Sequence, residues 1–568
     1  MTTQIHVLDH VTTRPGSGPS RSRLRLSGLI AAALAAIVAV GMSLWPALNN
    51  DVTYALGGIE TAGRGGVSVW DVFIARPVAY RLLMALLGAL VPDGASLSTA
   101  HLITHLGGDL LVAGVAVVLF LGLRRSLNAR AGALVAAATG LALIVSPPWH
   151  FLEPDWVAAL LAVLAVGAAL APRRLWLGAV LGGFAAFLAI AVKLATFPLA
   201  VLALLLVGVL DRRRAAWAGA AMLGLTVIWY AATKHFLPWE TLWLADQANL
   251  VANSPIHHGI RWHDIHRLLV GLGDVTLLSP IVAVAPAAAA ALVRRVAPGR
   301  PRWIATAIAV VAAGLVLASA YGQGEFFMYH FAAVPVLAAG VWAAAFALGP
   351  AARTPLLVST VVVAAASFVL LRRPPEWRHD NVTAVTLTFA ALAVVTAIVT
   401  WRNHGRAARP APTAAGALAL VAATVLAVLP HAPLAFSGYN YALGNERPDG
   451  TGYTALRERI GPDTPVIYLS FGSINYLLGN PTQCRYPSPQ WLQRGTYVRP
   501  VRSTRSYADN FRCLTDDQQA QYLVWQPKWF SQTKSSAEVR TVLNDRFDCS
   551  LPARIPAPKE LVVCPARK

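Results

Sequence analysis

The sequence predicts a polytopic α-helical membrane protein of about thirteen transmembrane helices, with a small extracytoplasmic α/β domain at its C-terminal end. Three observations carry this. Of 568 residues, 56% are hydrophobic and only 13% are charged, and the mean hydropathy is +0.54, a balance that soluble enzymes do not show. Apolar runs of about spanning length alternate with arginine clusters over 26–430. All four cysteines, Cys484, Cys513, Cys549 and Cys564, lie beyond the last run in polar sequence. The net charge of +20 follows from Lys and Arg gathering in cytoplasmic loops. No compact basic domain accompanies it, which excludes nucleic-acid binding.

Residues 1–25 form a cytoplasmic tail with Arg14, Arg21, Arg23 and Arg25. No small-residue cleavage site follows a short apolar core, so an uncleaved anchor is expected. Leu26–Leu48 is the first span, running outward, and Asp51 stands just past its outer end. Pro77–Val91 is about 15 residues long, too short to span, and holds Arg81 in its middle. It is expected to lie on the outer face as an interfacial or re-entrant helix. Ser98–Leu123 returns to Arg124, Arg125 and Arg130. Ala131–Val145 leads out to SPPWHFLEPD, and Trp156–Leu170 comes back to Arg173 and Arg174.

The block Leu175–Leu210 has basic clusters at both ends, so it must be two spans with an outer turn at Lys193–Pro198. Trp217–Phe236 goes out to a polar loop over Leu237–Asp274, and Val275–Val293 returns. Trp303–Tyr321 leads out to GQGEFFMYH. Phe331–Leu348, Leu356–Leu371, Val382–Trp401 and Ala414–Leu429 complete the membrane region. The basic stretch RRPPEWRHD falls outside in this arrangement, against the arginine rule. In 431–568, VIYLS and QYLVW read as strands and SSAEVRTVLNDRF as a helix. The even cysteine count points to disulfides if that compartment is oxidising; three connectivities are open, and the spacing fits no zinc motif.

Several residues stand out for chemistry at the outer boundary. Asp51, with Tyr54, Arg76 and Arg81 nearby in sequence, is an acid at the membrane–water interface. Glu60 and Asp71 are alternative acids in the same stretch. His150, Glu153 and Asp155 form a second acidic group in the next outer loop. One acid would take a proton from an acceptor hydroxyl, and another would hold a metal or orient a sugar. Asp155 reads equally as a helix cap. Lys193, in a tight outer turn, suits a phosphate or snorkels to the interface. Glu325, Tyr329 and His330 belong either to a site or to an aromatic belt. His257, His258, His263, Asp264 and His266 cluster in one loop and read more simply as solvated groups than as metal ligands.

An Asp opening the first outer loop, the following RPxxYRLL helix, the lysine-bearing outer turn and the YH turn together resemble the GT-C glycosyltransferase superfamily. That resemblance implies transfer of a sugar from a polyprenyl-phosphate donor to an acceptor on the outer face of the cytoplasmic membrane. It implies Asp51 as base, with Glu153 or Asp155 as the second acid. The donor phosphate falls to Arg76, Arg81, Lys193 and His330, and substrate contacts to Tyr54, Glu325 and Tyr329. The acceptor is a polysaccharide, a glycolipid or a protein. No cofactor is assigned, and a divalent cation, Mg2+ or Mn2+, stays open. The competing class is a transporter or lipid flippase. It wants polar residues at the bilayer midplane and weak internal repetition, whereas here the polar residues gather in outer loops.

Overall fold

The computed structural model describes residues 19–253, 261–324, 326–403, 411–426 and 449–567. The chain begins with α1 (Pro19–Ser43), a short break, and α2 (Asn50–Arg64). Then come α3 (Val78–Gly88), α4 (Leu97–Ser126), α5 (Ala129–Ile144) and α6 (Pro154–Leu170). The predicted lysine turn is present: α7 (Leu175–Ala191) stops, a 3-10 turn covers Leu194–Thr196, and α8 (Phe197–Leu210) leads away. α9 (Arg212–Phe236) follows.

Six helices among the described residues are long and apolar enough to cross a membrane, or seven if one bent pair counts as a span. The protein is a multi-pass membrane protein. Reaching the expected thirteen requires shorter apolar helices as well. Even the 17 residues of α6 rise only about 26 Å, somewhat under the ~30 Å hydrocarbon layer.

Two expectations need correction. The polar stretch Leu237–Asp274 is not a loop. It contains α10 (Pro238–Ala252) and most of α11 (Trp262–Leu278). α10 is helical because Pro238 suits a first turn and because Trp243 and Leu250 are buried in the core of the C-terminal domain. The span expected at Val275–Val293 is also broken. α11 ends at Leu278, α12 (Ile281–Arg295) starts after Ser279 and Pro280, and the axes turn by 95°. Proline lacks the N–H that would continue the α11 ladder, so the apolar run changes direction there.

α13 (Arg300–Tyr321), α14 (Ala333–Leu348) and α15 (Arg353–Leu371) follow, then the short α16 (Pro375–Asp380) inside RRPPEWRHD, α17 (Val382–Arg402) and α18 (Thr413–Val425). The bundle core is built of alanine with a few large side chains; Trp156, Trp342 and Phe346 are buried in it. Small residues let backbones meet, which is how helices gain contact in lipid. Gly122 of α4 lies against Gly167 of α6, and a methyl on Gly167 would strike the Leu119 backbone.

The C-terminal sheet has strand order β1 (Val466–Leu469), β2 (Tyr522–Trp525), β3 (Val562–Pro565). β1 and β2 are parallel, with Ile467 opposite Leu523. β3 runs antiparallel, with Cys564 opposite Leu523. The first two strands and the helix at Ala537–Arg546 lie where the sequence placed them. The disulfides are Cys484–Cys513 and Cys549–Cys564.

This domain caps one end of the bundle. Asn475 donates to Thr61 Oγ1 at 3.1 Å, the Thr482 amide to the Thr61 carbonyl at 3.0 Å, and the Phe73 amide to the Arg485 carbonyl at 2.7 Å. α10 joins from the other side: Trp243 Nε1 donates to Tyr486 Oη at 3.1 Å, and Arg494 to Gln247 at 2.9 Å.

Candidate active site at the capped end

Asp51 sits in the first turn of α2, where the helix dipole favours an acid. Asn49 caps that turn, accepting from the Asp51 amide at 2.8 Å. Its own amide donates to the Trp149 carbonyl at 3.1 Å. One residue therefore fixes the start of α2 and ties it to the second acidic loop.

Arg76 lies between the two acidic stretches. Its Nη2 donates to Asp51 Oδ2 at 2.6 Å and stands 3.9 Å from Glu153 Oε2. Burial works against the guanidinium charge, but Asp51 and Glu153 outweigh it and hold the group above its ordinary value. The Asp51 side chain remains 28% exposed, whereas Glu153 is fully buried. Among the described residues nothing donates a hydrogen bond to either Glu153 oxygen. Burial first, and the nearby Asp51 charge second, push this carboxyl well above the usual range.

A second pair lies alongside. Lys193 Nζ meets Asp155 Oδ2 at 2.7 Å, and Gln323 Nε2 donates to Asp155 Oδ1 at 2.7 Å. His330 lies within electrostatic reach of the same carboxylate, and Lys193 Nζ is 5.9 Å from the centre of the Tyr329 ring. Glu153 and Asp155, equivalent in the sequence, are thus distinct: Asp155 is paired, while Glu153 keeps both oxygens open. His150 is buried in the same loop near the Met328 backbone, and burial brings its imidazole down to about 3.

Asp51, Arg76, Glu153, Asp155, Lys193, Tyr329 and His330 are brought together at the capped end. Arg81 and Tyr54 are not part of that group. Arg81 is fully buried and donates to the carbonyls of Val69, Trp70 and Arg76 and to Glu240 Oε2. Tyr54 is buried, with its hydroxyl on the Phe73 carbonyl at 3.2 Å. Glu325, His257 and His258 lie outside the described residues. The alternative acids stand apart: Glu60 is nine positions, about 13 Å, further along α2 than Asp51, and Asp71 accepts from Ser68 on the exposed surface. Among the described residues no three His, Cys, Asp or Glu side chains converge on one point.

Sequence reasoning missed Gln323, Tyr80 and Glu240. Gln323 lies in the GQGEFF turn already singled out, and Tyr80 is the tyrosine of RPxxYRLL. Tyr80 Oη donates to the Leu152 carbonyl at 2.9 Å. Among the described residues the non-glycine positions with left-handed backbone are Ala75 (φ 58°) and Leu152 (φ 62°). Each immediately precedes a site residue, Arg76 and Glu153. Such a conformation costs about 1–2 kcal/mol per residue and gathers at functional sites.

The whole chain superposes on ArnT from Cupriavidus metallidurans in the apo state, with TM-score 0.50, 16% identity and coverage of 95% of this chain and 98% of that one. The chain shares the fold of that protein. The same protein bound to undecaprenyl phosphate matches with TM-score 0.50 and 17% identity over 96% of this chain and 98% of that one. The arabinosyltransferase EmbB from Mycobacterium smegmatis is more distant, with TM-score 0.40, 17% identity and coverage of 74% and 42%. No protein-family model matches the sequence, and no curated protein matches it. The GT-C likeness is one of fold, carried by three-dimensional arrangement rather than sequence.

Proposed function

We propose that this protein is a membrane glycosyltransferase. It moves a sugar from a polyprenyl-phosphate donor to an envelope acceptor on the outer face of the cytoplasmic membrane. The observation that carries the reading is Asp51, partly open to solvent, held by Arg76 beside Lys193 at one end of an apolar bundle. That is an acid for the acceptor side and cations for the phosphate side, at the depth where a lipid-anchored donor presents its headgroup. The GT-C fold supports it, as does a solved relative in fold that binds undecaprenyl phosphate. The paired cysteines support an oxidising compartment for the capping domain.

In the proposed reaction Asp51 takes the acceptor hydroxyl proton as that oxygen attacks the anomeric carbon. The carbon–oxygen bond to the donor phosphate breaks, and the electron pair leaves with the phosphate. Lys193 and Arg76 stabilise the charge that develops there. A single displacement inverts the anomeric centre, and trapping a covalent glycosyl-enzyme would refute that part.

The test is transfer in membranes from a panel of polyprenyl-phosphate sugars, with wild type beside Asp51→Asn at matched expression. Wild-type transfer that is lost in the variant is expected. Equal transfer in both would remove Asp51 as base. Absence of transfer from every donor would favour a transporter or flippase.

A further inference from the structure

A residue on neither acidic stretch fixes the arginine between them. Glu240, in the first turn of α10, is 4% exposed. Its Oε1 accepts from the Val78 amide at 2.9 Å, at the otherwise unpaired start of α3. Its Oε2 pairs with Arg81 Nη1 at 2.9 Å, and the same Nη1 donates to the Arg76 carbonyl at 3.1 Å. The Trp243 ring, one turn along α10, covers the Arg81 guanidinium at 5.4 Å.

α10 itself is held by the capping domain, with the Ser506 amide on Asp246 at 2.9 Å, besides the Tyr486 and Arg494 contacts. The path runs from the capping domain through Glu240 to the start of α3, and from there to Arg76 and Asp51. Arg76 follows Ala75, whose left-handed backbone persists only where its surroundings hold it.

We propose that Glu240 is a positioning residue. It clamps the Arg76–Arg81 segment so that the Arg76 guanidinium meets Asp51, and it makes that geometry depend on docking of the C-terminal domain. Glu240 touches no reacting atom and acts through Arg81, the Val78 amide and Arg76. The consequence for turnover rests on the glycosyltransferase reading; the clamp does not.

The experiment has two arms on the full-length protein in lipid nanodiscs, comparing wild type, Glu240→Gln, Arg76→Lys and the double variant. Glu240→Gln keeps an acceptor for Val78 and removes the negative charge that faces Arg81. In the first arm, hydrogen exchange at the Val78–Arg81 amides rises in Glu240→Gln while exchange in β1 and β2 stays at its wild-type level. Unchanged exchange at Val78–Arg81 overturns the clamp, as does a rise shared by the sheet, which would mean general loosening.

In the second arm, Glu240→Gln lowers kcat/KM by about tenfold or more, the scale of a small misplacement of a reacting group. Added to Arg76→Lys it lowers kcat/KM less than twofold further, because both act through one group. Full additivity overturns the proposal. A wild type that turns over no polyprenyl-phosphate sugar defeats the glycosyltransferase reading, and the exchange arm still decides the clamp.

Discussion

Arg76 and Asp51, separated by 25 positions, meet at 2.6 Å, and the same guanidinium lies 3.9 Å from the buried Glu153. One cation therefore serves two carboxylates from two different loops. Arg76→Ala removes the cation that Asp51 and Glu153 share, at a cost on the order of 3 kcal/mol. The thermal unfolding midpoint in nanodiscs should fall. Adding Glu153→Gln removes the buried carboxyl that Arg76 faced and should recover part of the loss without restoring transfer. A double variant no more stable than Arg76→Ala would show that Arg76 does not stabilise the fold through Glu153.

Lys193 and Asp155 form a more deeply buried pair at 2.7 Å, with Gln323 on the other carboxylate oxygen. Lys193→Met strands a buried acid, and a loss of about 3–5 kcal/mol is expected. Lys193→Met with Asp155→Leu replaces the pair by apolar groups, which is often close to neutral for stability. Under the proposed function the double variant stays folded but loses donor affinity, because the phosphate has lost a cation. Unfolding midpoints beside donor KM separate the two effects. An unchanged KM would make the pair purely structural.

The site was legible where local sequence carries the signal. Asp51 could be placed because an apolar run ends just before it. Lys193 could be placed because a block too long for one span has basic clusters at both ends. Arg81 was not, since a saturated internal arginine and a headgroup-binding one look alike in sequence; only Glu240 and three carbonyls tell them apart. α10 was unreadable for a related reason. Its apolar face meets a domain more than two hundred positions away, as the Trp243–Tyr486 contact shows, so its own window looked like polar loop. At Ser279–Pro280 the breaker was visible, but the apolar run on either side masked it.

pH dependence should expose two opposed groups in one loop. The His150 imidazole is brought down by burial, to about 3 from 6.5. A depressed folded-state value means stability that is complete above about pH 6.5 and is lost as pH falls, by about 1.4 kcal/mol per unit. Glu153 is raised from 4.5 by burial and by Asp51. Its contribution is complete below about pH 4.5 and is lost as pH rises through its folded value. The effects oppose each other between about pH 4.5 and 6.5, so wild type shows a shallow profile there. His150→Gln should gain relative stability toward acid and Glu153→Gln toward neutral pH, read from unfolding midpoints between pH 4.5 and 7.5. Parallel profiles for wild type and both variants would contradict the burial of these groups.

The capping domain meets the site through α2, and at Gly57 the two backbones are in close contact. A methyl at Gly57 would run into the backbone of Tyr476 in the helix Ser473–Leu478. Backbone cannot move aside as a flexible side chain does, so Gly57→Ala must shift one helix against the other. Asp51 lies in the first turn of the same α2 and shares its rigid-body position. Gly57→Ala should therefore lower transfer by about tenfold or more, the cost of a small misalignment. The disulfides Cys484–Cys513 and Cys549–Cys564 have no cysteine in either helix and should still form. Gly88 offers the control: a methyl there comes no nearer than 4.0 Å to the Leu56 side chain, so Gly88→Ala should leave transfer near wild type. Equal activity in all three proteins would show that the α2–domain contact does not set the position of Asp51, whereas selective loss in Gly57→Ala would tie the placement of the acid to the docking of the domain.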